Sequence, residues 1–250
     1  MSRRAIGYIW VVVIAGLAVV TYALLHWTSV DPGLFTILLA AAAVVSTLKV
    51  RLPGLLGNIT PGSFFLLLAI GRFSLPEAVV LGAVSATVQS LINTKKRPRP
   101  EQLAFNISTL ALATVAAWIA SRPFAWADDR VAGLLVGLLL AAPVYYLLNT
   151  VLVAGVITLT SGRPFDSVWS QCHMWNSVYY VIVVPLAGVA WFLLPSLSWR
   201  VLIVLLPSLW LLHTSCRFLA VMLAEAAYQP PMKEPAIAEP YVAGAGAGQP

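Results

Sequence analysis

The chain has 250 residues, of which 60% are hydrophobic and only 10% charged, and its net charge is +6. Soluble domains carry about 25% charged residues, so this balance and a mean hydropathy of +0.89 exclude an ordinary soluble domain. The positive excess then concerns where each charge sits relative to a bilayer, and gives no case for nucleic acid as a partner.

The chain starts with two arginines and a long apolar run, MSRRAIGYIWVVVIAGLAVVTYALLHW. The run exceeds the roughly 7–15 apolar residues of a signal-peptide core and no small-residue cleavage site follows it, so it reads as a retained helix. Apolar segments then recur at approximately 6–25, 34–50, 60–73, 76–93, 102–121, 132–158, 175–194 and 199–224. Crossing about 30 Å of hydrocarbon takes about 20 helical residues, and most of these segments come close. The third, ITPGSFFLLLAIGRF, is short, opens at Pro61 and contains Gly71, which leaves a short span or a re-entrant segment.

Charge placement favours a span. With all eight segments crossing and the amino terminus inside, the cytoplasmic side receives Arg3, Arg4, Lys49, Arg51, Lys95, Lys96, Arg97, Arg99, Arg163 and Lys233, with Arg217 near the inner end of the last helix. The outside receives Arg72, Arg122, Arg130 and Arg200, together with Asp31, Glu77, Asp128 and Asp129. That asymmetry obeys the positive-inside rule; omitting the third segment would invert the Lys95–Arg99 cluster. The fold expected is an all-α polytopic transmembrane bundle of about eight helices over residues 1–226, with both termini cytoplasmic. Residues 227–250, rich in Pro, Gly and Ala, read as a disordered cytoplasmic tail.

The stretch NTKKRPRPEQLAFNIST, 93–109, imitates a nuclear-import patch followed by a glycosylation sequon. Between two membrane segments it is neither. Lys95, Lys96, Arg97 and Arg99 fix topology and suit anionic lipid headgroups, and the prolines separate two helices. Small residues at four-residue spacing, Gly133-Gly137-Ala141 and Gly82-Ala86, permit close helix packing or self-association. Pro143, Pro185 and Pro207 fall inside helices. Residues 161–175, SGRPFDSVWSQCHMW, place Phe165, Val168, Trp169 and Cys172 on one stripe and read as an interfacial helix leading into the seventh span.

Carboxylates are nearly absent from the span interiors, which argues against a carboxylate proton relay, a two-carboxylate hydrolase or the aspartate-rich site of a prenyl transferase; any membrane enzyme would need an acid, a nucleophile–base pair or a metal set, and the sequence offers only His213 and His173, without partners at readable spacing. Two cysteines far apart, with no clustered histidines, support neither metal, disulfide framework nor cofactor. The polar groups that remain are Gln89, Asn93, Asn106, Tyr145, Asn149, Asn176 and His213, all expected in the cytoplasmic half. Two readings stay open for them: interhelical hydrogen bonding alone, or a polar site for a small or lipophilic ligand.

The segment RLPGLLGNITPGSFFLLLAIGRFSLPEAVVLGAVSATVQSL, the basic loop before AFN, and YYLLNT in the sixth span resemble the bacterial multi-pass membrane sensory regions that precede GGDEF cyclases and HD-type phosphohydrolases. The resemblance covers roughly residues 35 to 220, with Asn106 and Asn149 matching its recurring amides. It implies a non-enzymatic sensory or regulatory module of a bacterial inner membrane that signals to a cytoplasmic protein partner. Where such regions continue into an output domain, this chain continues as RFLAVMLAEAAYQ and the tail. Two other readings keep their place: a transport protein resembling the substrate-capturing subunit of a vitamin uptake system, and a structural or assembly protein.

Overall fold

The computed structural model describes residues 2–51, 58–59, 61–92, 97–124 and 129–227, with the backbone alone at 50, 51, 58, 59, 124, 130, 171–178, 220 and 223–227. Asn93, Lys95, Lys96 and the expected tail from 228 onward lie outside the described residues. Those described form eight α-helices: α1 Arg3–Leu25, α2 Pro32–Val45, α3 Gly62–Arg72, α4 Leu75–Leu91, α5 Pro100–Ser121, α6 Arg130–Ser161, α7 Phe165–Leu197 and α8 Val201–Ala227. The expected all-helical bundle is therefore what forms. A two-rung antiparallel ladder joins α2 to α3, with Val50 opposite Ile59 (β1, Val50–Arg51) and Arg51 opposite Asn58 (β2, Asn58–Ile59).

The sequence sets the helix starts by capping. Asp31 accepts from Leu34 N–H at 3.0 Å ahead of Pro32, and Asp129 accepts from Val131 and Ala132 N–H at 2.8 and 3.1 Å. Ser74 and Glu77 form a capping box on α4, each side chain satisfying a backbone N–H that the first turn leaves orphaned. Gly162, at φ +72°, closes α6 in the left-handed conformation that glycine adopts without a Cβ penalty. Pro143, Pro185 and Pro207 all lie within continuous helices.

The contacts fix the direction of each helix. Tyr8 meets Phe105, and Ser108 donates to Val13 O at 3.2 Å, so α1 and α5 run parallel. Tyr8 also donates to Leu152 O at 3.0 Å, while Ser2 reaches Leu159 O, so α6 runs opposite to α1. Ser63 lies beside Tyr179 and Gly71 beside Trp191, making α3 and α7 parallel. The odd-numbered helices begin at one end of the bundle, here the near end, and the even-numbered helices begin at the far end.

Four stretches are long and apolar enough to cross a membrane: Arg3–Leu25, Pro100–Ser121, Val131–Ser161 and Tyr179–Leu219. The last runs through a 3-10 turn at Ser198–Arg200 and contains most of α7 and α8. Helices α2, α3 and α4 are shorter, at 14, 11 and 17 residues. Large apolar side chains of α1, α7 and α8 face outward, including Trp10, Val11, Ile14, Val181, Phe192, Trp210 and Leu211. Soluble proteins rarely expose contiguous apolar surface on that scale; in a bilayer it faces lipid.

Helix α3 is the reverse case. Every residue from Gly62 to Ile70 is buried, as befits a helix that is apolar all round. It spans only about 16 Å at 1.5 Å per residue and packs against α2, α4, α5, α6 and α7. The third segment is thus a central helix walled off by its neighbours. Its far end is closed by Arg122, whose guanidinium donates to Ile70 O at 2.7 Å and lies 4.1 Å above the Trp118 ring. A cation suits the carbonyl-rich end of a helix. Burial lowers the Arg122 pKa from its ordinary value, but a guanidinium stays charged at any physiological pH.

One expectation changes, and the packing reading of the small residues holds. The stretch 161–175 forms no separate interfacial helix: α7 runs unbroken from Phe165 for 33 residues, about 50 Å. No glycine or proline interrupts it before Pro185, and the buried Val168 packs on Ala154 of α6. The small-residue stripes are occupied within the chain. Gly82 faces Thr114 of α5, Gly137 faces the Ser121 carbonyl, and Ala86 and Ala141 are buried. The tightest approach lies elsewhere, where a Cβ at Gly16 would overlap Ser108.

Candidate functional site

The near-end turn of α3 presents Ser63, buried between α6 and α7. Around it the chain assembles two tyrosine pairs, Tyr145-Tyr146 of α6 and Tyr179-Tyr180 of α7. The Tyr180 ring lies 6.3 Å from Tyr145, 5.3 Å from Tyr146 and 6.0 Å from Tyr179, centroid to centroid, with edge-to-face or tilted geometry. Such contacts are favourable for aromatic quadrupoles. Because α6 and α7 are antiparallel, the two doublets meet at one level.

Helix α8 packs on α7 and on β1. Cys216 lies near Tyr179, and His213, one turn earlier on the same helix, packs beside Trp210 at 6.0 Å. Asn149 follows Tyr145 by one turn on α6, so i and i+4 share a face. The meeting of α3, α6 and α7 therefore holds Ser63, Tyr145, Tyr179 and Tyr180, with Asn149 one turn from Tyr145 on α6 and His213 on the neighbouring α8.

Several of these groups lack hydrogen-bond partners. Tyr179 is 5% exposed and His213 6% exposed, yet the Tyr179 hydroxyl and His213 Nδ1 make no hydrogen bond, and neither does the buried Asn149 Oδ1. Ser63 lies beside the Tyr179 hydroxyl. Leaving a buried polar group unsatisfied costs about 1–3 kcal/mol, and native interiors seldom tolerate it.

The structure divides the polar group expected from sequence. Tyr145 lies here, against Tyr180 and near Tyr179, with Asn149 one turn along α6 and His213 on α8. Gln89 lies apart, beside Gly62 and Ser46 where α2, α3 and α4 meet; Ser46 Oγ, buried there, also lacks a partner. Asn106 was expected to be buried with the other amides, and is exposed instead. Its Nδ2 donates to Ser90 Oγ at 3.0 Å, joining α5 to α4. The position falls on the outer face of α5, turned away from the residue before it, Phe105, which packs inward on α1. Asn176 belongs to α7, with its side chain outside the described residues, as is Asn93. Arg97 and Arg99 are exposed, in keeping with a headgroup-level loop. Among the described residues no three His, Cys, Asp or Glu side chains gather as metal ligands would.

Tyr179, Tyr180 and Ser63 were missed in the sequence because tyrosines in a membrane chain are usually interfacial anchors. The available signal was the repetition of a Tyr-Tyr doublet in YYLLN and YYVIV, on neighbouring antiparallel helices.

No curated protein and no solved structure matches the chain. The MASE9 family matches residues 8–219, from the first turns of α1 to the second half of α8. This extent includes every helix of the site, and the chain belongs to MASE9, one of the membrane-associated sensory domains.

Proposed function

We propose that this protein is a non-enzymatic sensor of a bacterial inner membrane that binds a small, lipophilic ligand at the α3–α6–α7–α8 junction and reports it to a cytoplasmic protein partner. One observation carries the ligand reading: two side chains more than nine-tenths buried on the neighbouring helices α7 and α8, Tyr179 and His213, hold polar atoms without partners. Charge asymmetry supports placing the near end, and with it both termini, in the cytoplasm.

The elements around the site suit transmission. Ser63 lies in the first turn of α3, which the β1–β2 ladder precedes, and β1 packs against α8. A ligand that shifts the first turn of α3 thus acts on α8 directly at Tyr179–Cys216 and through the ladder. Helix α8 continues past Arg217 to Ala227, offering its last turns to a partner.

Native mass spectrometry of the full chain extracted gently from its own membranes tests the reading. The expected result is a retained small molecule that is lost from the folded Tyr179→Phe/His213→Leu variant. Identical spectra for both folded proteins would overturn it.

A further inference from the structure

Helix α3 starts inside the bundle. Pro61 and Gly62 are both buried. Ser63 in the same turn lies beside Tyr179, and α7 has 14 residues between its own near-end start and that tyrosine. The first turn of a helix carries the equivalent of roughly half a positive charge, here directed from within the bundle toward the near end. Pro61, at the N-cap, supplies no side-chain hydrogen bond to it. Membrane helices that begin within the bilayer aim this end at anionic groups.

Two polar side chains from other helices reach the same point. A Cβ added to Gly62 would lie 2.6 Å from Ser46 Oγ and 3.3 Å from Gln89 Nε2, so the near ends of α2 and α4 bring both groups to the first residue of α3. Ser46 is 0% exposed, and its Oγ has no hydrogen-bond partner. Hydroxyls elsewhere in the chain return to a carbonyl of the preceding turn, as Thr36 does to Pro32 and Thr87 to Ala83; that of Ser46 does not. The helix-end carbonyls alongside are already met. Thr47 and Leu48 N–H donate to Val44 and Val45 O, and Lys49 Nζ donates to Ile92 O at 2.7 Å. Lys49 thereby brings a positive charge to this end of α4, and Arg51 follows on β1. No described carboxylate accompanies them, since Asp31 and Glu77 stand at the opposite ends of α2 and α4. Gln89 and Lys49 are half-buried, which leaves an approach from the near end.

We propose that the start of α3 binds a phosphoryl oxyanion from the cytoplasmic side. Ser46 Oγ and Gln89 Nε2 donate to its oxygens, and the α3 N-terminus and Lys49 balance its charge. Donors converging from separate helices suit an anion with several acceptor oxygens. The same group occurs on soluble phosphates and on lipid headgroups. The site lies toward α2 and α4, whereas Ser63 faces α7, so it does not depend on a ligand at the tyrosines.

Two arms on the full chain separate the sources. Radiolabelled inorganic phosphate is titrated onto protein in dodecyl maltoside, a phosphorus-free detergent, at constant ionic strength. Native mass spectrometry counts the phosphatidic acid retained from mixed phosphatidylcholine–phosphatidic acid nanodiscs. Saturable binding in the first arm assigns a soluble phosphate; retention in the second alone assigns a headgroup. In whichever arm binds, Ser46→Ala and Gln89→Leu should each weaken binding roughly tenfold or more, the loss of one hydrogen bond to a charged group. Ser46→Ala removes an orphan hydroxyl, so the unliganded protein should be no less stable than wild type, which separates lost binding from lost folding. Tyr179→Phe should leave anion binding unchanged, so this proposal and the lipophilic site can each fail alone. No saturable binding in either arm would overturn the proposal, as would wild-type affinity in the folded Ser46→Ala and Gln89→Leu proteins.

Discussion

Glu77 gives the sharpest stability prediction. It is a fully buried carboxylate, 0% exposed, at the far end of the bundle. Ser29 Oγ donates to Oε1, and Ser74 N–H donates to Oε2 at 3.0 Å. The Ser74 hydroxyl lies 2.9 Å from Oε2 and 2.7 Å from Thr28 O, so its single proton serves one or the other. These bonds cap α4 and tie the α1–α2 connection to it. A hydrogen bond to a charged group contributes about 1.5–3 kcal/mol, and the loss of a cap costs about 1 kcal/mol. Glu77→Ala leaves Ser29 and Ser74 to find water at a bundle end, so the expected loss is about 2–4 kcal/mol. Glu77→Gln keeps the volume and one acceptor oxygen, and its NH2 can donate to Ser29 Oγ, which limits the loss to about 1 kcal/mol. Reversible SDS-driven unfolding in bicelles, followed by circular dichroism, measures both. Glu77→Ala within about 0.5 kcal/mol of wild type would refute the role of these bonds. Glu77→Gln as costly as Ala would show that charge, rather than hydrogen bonding, is what the site requires.

Three further outcomes are expected in the same assay. Gly16→Leu should cost about 1–3 kcal/mol or more, because its Cβ meets the Ser108 backbone, whereas Gly7→Leu, with nothing within 4 Å, should stay within about 0.5 kcal/mol. Arg122→Ala should lose about 2–4 kcal/mol through the α3 carbonyl bond and the Trp118 stacking. Arg122→Lys should fall between that variant and wild type, since an ammonium keeps the charge without the planar contact. Asn106→Ala, losing one exposed-side bond to Ser90, should cost only about 0.6 kcal/mol.

The eight helices were legible because their signals are local. Pro100 and Asp129 stand at or beside the observed starts of α5 and α6, and the Ser74–Glu77 box stands at that of α4. The centrality of α3 was not legible. In lipid the bundle exterior is as apolar as its core, so FFLLLAI would read alike on either side; only the packing shows that all of it faces protein. The continuity of α7 through residues 165–178 was read as a stripe and a boundary, although the absence of any helix breaker there was the better guide. Residue type alone singled out Tyr145, which meets the α7 tyrosines, along with Asn149 and His213. Asn106 shared their type but not their face, because depth along a helix says nothing about direction around it. Tyr179 and Ser63 needed the third dimension: their meeting depends on α3 and α7 being neighbours, which no local pattern encodes.

The account stands or falls on whether the junction of α3, α6, α7 and α8 holds a ligand. A cryo-electron microscopy structure of the full chain, prepared from its native membranes without ligand stripping, reads this directly. Non-protein density is predicted against Tyr145 and Tyr180, within about 3 Å of the Tyr179 hydroxyl. Tyr179, Asn149 and His213 satisfied by one another or by neighbouring side chains, with no density between the helices, would contradict it.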